Sequence, residues 1–164
     1  MPRRPKHQLP ALLGWLLLCF AVAALGAVAS VSAGRFYASL DQPDWAPPGS
    51  VFGPVWSVLY ALMALAAWRV WRCGGWRAQS TALSVFLLQL ALNGLWSWLF
   101  FAWHLGALAL LDIVVLGLAL LVTIALFWRA DRLAALMLLP YLAWISFAGA
   151  LNWAVWQANP AVLS

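Results

Sequence analysis

Five long stretches with scarcely a charge in them divide this chain, and that pattern constrains the fold more than any motif does. An α-helix needs roughly 20 apolar residues to cross a hydrocarbon layer about 30 Å thick. The stretches run approximately over residues 10–33, 51–72, 79–102, 105–128 and 133–156. "RCGGWR" separates the second from the third, "HLG" the third from the fourth, and "RADR" the fourth from the fifth. The "HLG" connection carries no formal charge. A single helix over 79–128 would nevertheless be about 75 Å long at 1.5 Å per residue, so a break near Gly106 is required.

Only 8% of the 164 residues are charged and 66% are hydrophobic, where a soluble domain carries about a quarter charged residues. The expected fold is an all-α integral membrane protein. It is a five-transmembrane-helix bundle in one membrane domain over 1–164, with a basic tail (1–9) and a structured loop (34–50) between the first two helices. The first apolar stretch is too long for the core of a signal peptide and reads as a span.

Five spans put the termini on opposite sides. Arg3, Arg4, Lys6, Arg69, Arg72, Arg77, Arg129 and Arg132 fall on the N-terminal side, and only Arg35 on the other. Cytoplasmic loops carry an excess of Lys and Arg, so the N-terminus is expected in the cytoplasm and the C-terminus outside. The loop 34–50 is then external, and the same bias favours a bacterial inner membrane. Scattered at segment ends, these cations set topology and form no patch for nucleic acid. Cys19 and Cys73 read as small buried hydrophobes.

Polar groups at bilayer depth are costly and face the bundle interior or a cavity. At helical spacing they form stripes. Phe52, Trp56 and Tyr60 share a face of the second helix; Gln89, Asn93 and Trp96 share one of the third; Tyr141, Trp144, Ala148 and Asn152 share one of the fifth. Asp112 sits about two turns into the fourth. The predicted topology brings Trp56, Asn93, Trp96, Asp112 and Asn152 to the outer half of the bilayer, with Tyr60 and Trp144 near mid-depth. These residues are expected to line a ligand cavity beneath the loop, with Trp45 capping it. Asn93 and Asn152 have a second reading as interhelical hydrogen-bond partners. Asp112 has no Lys or Arg at its depth; it is either protonated or bonded to an Asn or a Trp N–H. Trp15, Trp68, Trp71, Trp76, Trp103, Trp128, Trp153 and Trp156 lie near span ends, as interfacial belt residues do. Gly26, Ser30 and Gly34 make a small-residue face on the first helix, suited to a contact within the chain or between two copies.

The sequence holds no HExxH, no CxxC, no phosphate-binding glycine loop and no Ser–His–Asp set. With only His7 and His104 available, neither of them deep in a span, no metal site is expected. Flat aromatic walls with a few hydrogen-bonding groups suit a large, rigid, planar, mostly apolar ligand.

Three stretches carry a resemblance: "YASLDQPDWAPPGSVFGPVWSVLY" (37–60), "QLALNGLWSWLFF" (89–101) and "PYLAWISFAGALN" (140–152). They resemble the translocator protein / tryptophan-rich sensory protein family, also called the peripheral-type benzodiazepine receptor family. The first follows its Tyr-x-x-Leu…Pro-x-Trp-x-Pro-Pro…Phe…Val-Trp-x-x-Leu-Tyr pattern through Tyr37, Leu40, Pro43, Trp45, Pro47, Pro48, Phe52, Val55, Trp56, Leu59 and Tyr60. The resemblance implies a five-helix bundle, often a homodimer, with the first external loop over a cavity. It implies binding of porphyrins (protoporphyrin IX, haem), of sterols, and of isoquinoline carboxamide and benzodiazepine ligands, with no obligatory cofactor. It also implies ligand contacts at Trp45, Asn93 and Ala148, and light-dependent porphyrin breakdown involving Trp56 and Trp144. Animal members end in a short sterol-recognition pattern; here Trp153 and Gln157 stand where its Tyr and Arg would be, which favours a bacterial member.

Three functions follow as expectations. The first is a membrane receptor or sensor for tetrapyrroles, with a role in tetrapyrrole or stress regulation. The second is light-driven degradation of a bound porphyrin, in which the protein mainly positions its ligand. The third is tetrapyrrole or sterol transport. Five spans without an inverted repeat make alternating access the least natural of these.

Overall fold

Where water is absent, every backbone amide must find its partner within its own segment, and the chain answers with helix almost throughout. The computed structural model describes residues 8–164. The predicted tail cations Arg3, Arg4 and Lys6 lie outside the described residues. The elements are α1 (Gln8–Ala29), α2 (Ala33–Ser39), a 3₁₀ turn (Gly49–Val51), α3 (Phe52–Trp71), α4 (Gly75–Ser97), α5 (Gly106–Ala130), α6 (Arg132–Met137) and α7 (Leu139–Ala158). Among the described residues, five helical segments, with α6 and α7 counted together, are long and apolar enough to cross a membrane.

Most departures from the predicted boundaries have a local cause. The first span stops at Ala29, not at 33. Ser30 Oγ donates back to Gly26 O at 2.8 Å, and the chain turns through Ala33 N–H to Ser30 O at 3.0 Å before α2 begins. Serine hydroxyls compete in this way with the helical ladder. Gly34 therefore stands on α2, and the predicted Gly26–Ser30–Gly34 face does not lie on one helix. The third span starts earlier than 79, because Gly74 and Gly75 take φ of 122° and 68° and turn the chain straight into α4. A kink remains at Gln79, with φ −121° and ψ 20°. The last turn of that span widens into a π-helix over Trp98–Ala102, and the break near Gly106 falls at Trp103–Leu105. Pro140 ends one helix and begins another: lacking an N–H and crowding the carbonyl four residues back, it coincides with an interruption at Leu138 between α6 and α7.

Around the bundle, α1 packs on α3 and α4, α5 packs on α4, α6 and α7, and α3 reaches α6. At the end away from the 34–50 loop, Arg69 Nη2 pairs with Asp131 Oδ2 at 2.8 Å. The same carboxylate caps α6 by accepting from Ala134 N at 3.0 Å, so one acid closes a helix end and joins α3 to the α5–α6 turn. Between α1 and α4 the approach is close: a Cβ on Gly94 would lie 3.0 Å from Val22, and one on Gly26 would lie 3.2 Å from Ser97 Oγ. Gly26 is thus a contact within the chain. The outward faces are apolar, with Leu17, Val28, Leu111 and Leu118 each more than half exposed, as a lipid-facing surface requires.

The expected tryptophan belt is only partly present. Trp76, Trp103, Trp128 and Trp153 are exposed, but Trp15 is buried edge-on against Phe86 at 5.7 Å. Trp156 lies over the start of α5, where a Cβ on Gly106 would come within 2.7 Å of its Cδ1 and 3.0 Å of Leu163 Cβ. Gly106→Ala is therefore expected to destabilise the bundle by about 1–3 kcal/mol, as overpacking does. A thermal melt in detergent should show the loss, while Gly14→Ala, at a position open within 4 Å, should leave the melting temperature nearly unchanged.

Candidate functional site

At the loop end, α1, α2, α3 and α4 enclose a cavity of about 540 Å³, within the usual range for small-molecule sites. Its aromatic wall is Tyr37, Phe52, Trp56, Trp96 and Phe101, and Tyr60 and Asn93 stand at its polar side. Helical periodicity puts Phe52, Trp56 and Tyr60 on one face of α3 and Asn93 and Trp96 on one face of α4, and these two faces meet. Trp56 is the hub of the rings. Its centroid is 5.7 Å from Tyr60, 6.1 Å from Tyr141 and 6.5 Å from Trp144, the last nearly perpendicular at 88°.

Two polar chains fasten the site. Tyr60 Oη donates to Asn93 Oδ1 at 2.5 Å, and Asn93 Nδ2 donates to Tyr141 Oη at 2.6 Å. Trp96 Nε1 donates to Asn152 Oδ1 at 3.1 Å, and Asn152 Nδ2 donates to Gly106 O at 3.0 Å. The interhelical reading of Asn93 and Asn152 thus describes geometry that is present. Asn93 also lines the cavity, with one amide hydrogen and one carbonyl lone pair left after these two bonds.

The remaining expected residues stand behind or beside the wall. Tyr141 is fully buried behind Trp56. Trp144 lies on the far side of Trp56 and lines a separate, shallower groove between α3 and α7, together with Pro54, Val58, Leu62, Ala143 and Phe147. Its Nε1 is buried with no hydrogen-bond partner among the described residues, and so is one oxygen of Asp112. Asp112, Ala148 and Asn152 are buried between helices and do not line the cavity. Trp45 does not cap it either: about half exposed, its ring rests on Phe147 of α7 at 5.8 Å. Instead Tyr37, Gly49 and Phe52 cover the cavity on the loop side. Tyr37 is buried, packs edge-on against Phe52 at 5.5 Å and donates from Oη to Pro47 O at 3.3 Å.

Sequence reasoning missed the contribution of α1 and the turn after it, whose Ala23, Ala27 and Ser30 line one wall. Small residues carry no chemical signal beyond close approach, so that face was read as a helix contact. It also missed Asn159, whose carboxamide accepts from Asp41 N–H at 2.9 Å and donates to Asp41 O at 2.9 Å, clamping the loop to the end of α7. Among the described residues no group of His, Cys, Asp and Glu could hold a metal ion.

The TspO/MBR family model matches residues 15–157. The chain belongs to the TspO/MBR family. It is 39% identical over 150 residues to protein CrtK of Rhodobacter capsulatus, covering 89% of this chain and 91% of that one. With the tryptophan-rich protein TspO of Archaeoglobus fulgidus it shares 40% over 124 residues, 76% of this chain and 80% of the other. The human translocator protein is 39% identical over 127 residues, 76% of this chain and 75% of the other. As a TspO/MBR member with five apolar spans it is an integral membrane protein, and membership supports a sensor or receptor kind of role.

The carboxamide at the cavity's edge yields a test of the packing. Asn93→Leu strands the hydroxyls of Tyr60 and Tyr141, and each orphaned buried polar group costs about 1–3 kcal/mol. Tyr60→Phe removes one bond and leaves Asn93 bonded to Tyr141, so its melting temperature should fall less than that of Asn93→Leu.

Proposed function

We propose that this protein is a membrane receptor that binds a flat tetrapyrrole, protoporphyrin IX or haem, in the cavity between α1 and α4, with a role in tetrapyrrole or stress regulation. The observation that carries the reading is the lining itself: Phe52, Trp56 and Trp96 offer ring surface, and Asn93 keeps hydrogen-bonding capacity beside them. Aromatic faces favour stacking or edge contact with a large conjugated ring. The lining holds no His, Cys or Met, so a haem would be held by its macrocycle and not by axial ligation from these groups. Sterols and isoquinoline- or benzodiazepine-type ligands fit the same chemistry less specifically. We take the N-terminus as cytoplasmic in a bacterial inner membrane, on the strength of the arginines gathered at the end of the bundle away from the loop, and the protein as a homodimer, on the family resemblance alone.

A second reading rests on one contact. Trp56 stands between the cavity and Trp144, 6.5 Å from it, and the Trp144 N–H is unpartnered among the described residues. Two electron-rich rings in series beside a photosensitiser favour light-dependent degradation of a bound porphyrin, with the porphyrin supplying the hard chemistry.

Titration with protoporphyrin IX should quench tryptophan fluorescence saturably, and Trp56→Phe should weaken binding several-fold. Under illumination, wild type should bleach the bound porphyrin faster than Trp144→Phe. Equal bleaching would leave binding alone, and quenching that never saturates would remove the receptor reading.

A further inference from the structure

The lining residues of the cavity differ sharply in exposure. Tyr37, Tyr60, Asn93 and Trp96 are buried, whereas Phe20, Ala24 and Ala27 of α1 and Gly53 and Ser57 of α3 are exposed, as are the two glycines at the loop end, Gly34 and Gly49. Most of the exposed lining thus lies on α1 and α3, and the cavity opens sideways between them. At about 1.5 Å per residue, Ala24 and Ser57 each lie roughly 8 Å inside the loop end of their helices, a depth within the hydrocarbon layer. Phe20, partly exposed, borders the mouth one turn deeper. Apart from Phe20, the exposed lining residues of α1 and α3 present nothing larger than a methyl or hydroxymethyl group, and a Cβ on Gly53 would meet nothing within 4 Å.

The loop side is fastened by contrast. Asn159 holds both backbone groups of Asp41 at 2.9 Å. Tyr37 bonds Pro47, Gln42 Nε2 bonds Tyr37 O, and Phe36 stacks on His104 at 4.1 Å. A ligand coming from water through this side must break several of these contacts. One already dissolved among lipid tails meets an open mouth.

We propose that the gap between α1 and α3 is the route by which ligands reach the cavity, so that the site selects apolar, planar molecules partitioned into the bilayer and not solutes from the aqueous phase. The proposal rests on the binding reading above and adds the route and the phase from which the ligand comes. Gly53 and Ala27 act as the threshold, and Asn159 is a positioning residue that keeps the loop shut without controlling access.

The test uses full-length protein in nanodiscs and protoporphyrin IX as probe, with stopped-flow tryptophan quenching as the readout. Gly53→Phe places a ring in open space across the mouth, and Ala27→Phe approaches from the other side. Each should slow association at least ten-fold, with dissociation slowing too. Gly14→Phe, equally open but outside the cavity, should leave association within two-fold of wild type, as should Asn159→Ala. In wild type, probe preloaded into the nanodisc lipid should associate faster than the same total amount of probe mixed in from the aqueous phase. Association that accelerates in Asn159→Ala, or stays at the wild-type rate in both mouth variants, would overturn the lateral route. Preloaded probe that associates no faster than probe mixed in from water would do the same without any variant having to fold. Wild type that never binds saturably would overturn the receptor reading and the route with it, an outcome distinct from the others.

Discussion

The carboxamide of Asn93 accepts from Tyr60 of α3 and donates to Tyr141 of α7, and so joins three helices at a depth where no bulk water can replace either bond. Apolar burial does little to hold helices together in lipid, since the tails are as apolar as leucine, and association falls to close packing and internal hydrogen bonds. Both are used here. Glycines let α1 meet α4 and α5 meet α7, while Asn93 and Asn152 span the interior between them. One wall of the cavity exists because Tyr60 and Asn93 are held to each other and stand at its edge.

That arrangement explains a site with fixed and open sides. The rings are braced from behind, Trp56 by Tyr141 and Trp144, and Trp96 by Phe100 at 5.3 Å. The loop is tied down by Asn159 across a separation of 118 residues. On the α1–α3 side, toward the loop, the exposed lining is mostly of small residues. A preorganised wall would limit the ordering that a ligand must impose.

The spans were legible because membrane thickness sets their length, and α3 and α5 end within two residues of the expected bounds. The turn after Ala29 was not, because Ser30 diverts the chain by a local bond that apolarity does not register. Within the site, the helical repeat located Phe52, Trp56, Tyr60, Asn93 and Trp96, since each stripe follows from its own helix alone. It could not show which neighbour a stripe faces. Trp144 and Tyr141 share the right level but stand behind Trp56, and Trp45 leans on Phe147 instead of the cavity. Depth follows from sequence position; azimuth around the bundle depends on packing between helices far apart in the chain. Asn159 escaped notice for the same reason, its partner lying at the other end of the protein.

Location of the ligand decides the central claim most directly. In crystals grown with zinc protoporphyrin, anomalous scattering fixes the metal without reliance on the rest of the density. The account predicts the zinc inside the α1–α4 cavity, with the macrocycle against Trp56 and its edge toward Asn93. Zinc found only in the groove between α3 and α7, or only on the lipid-facing surface, would contradict it.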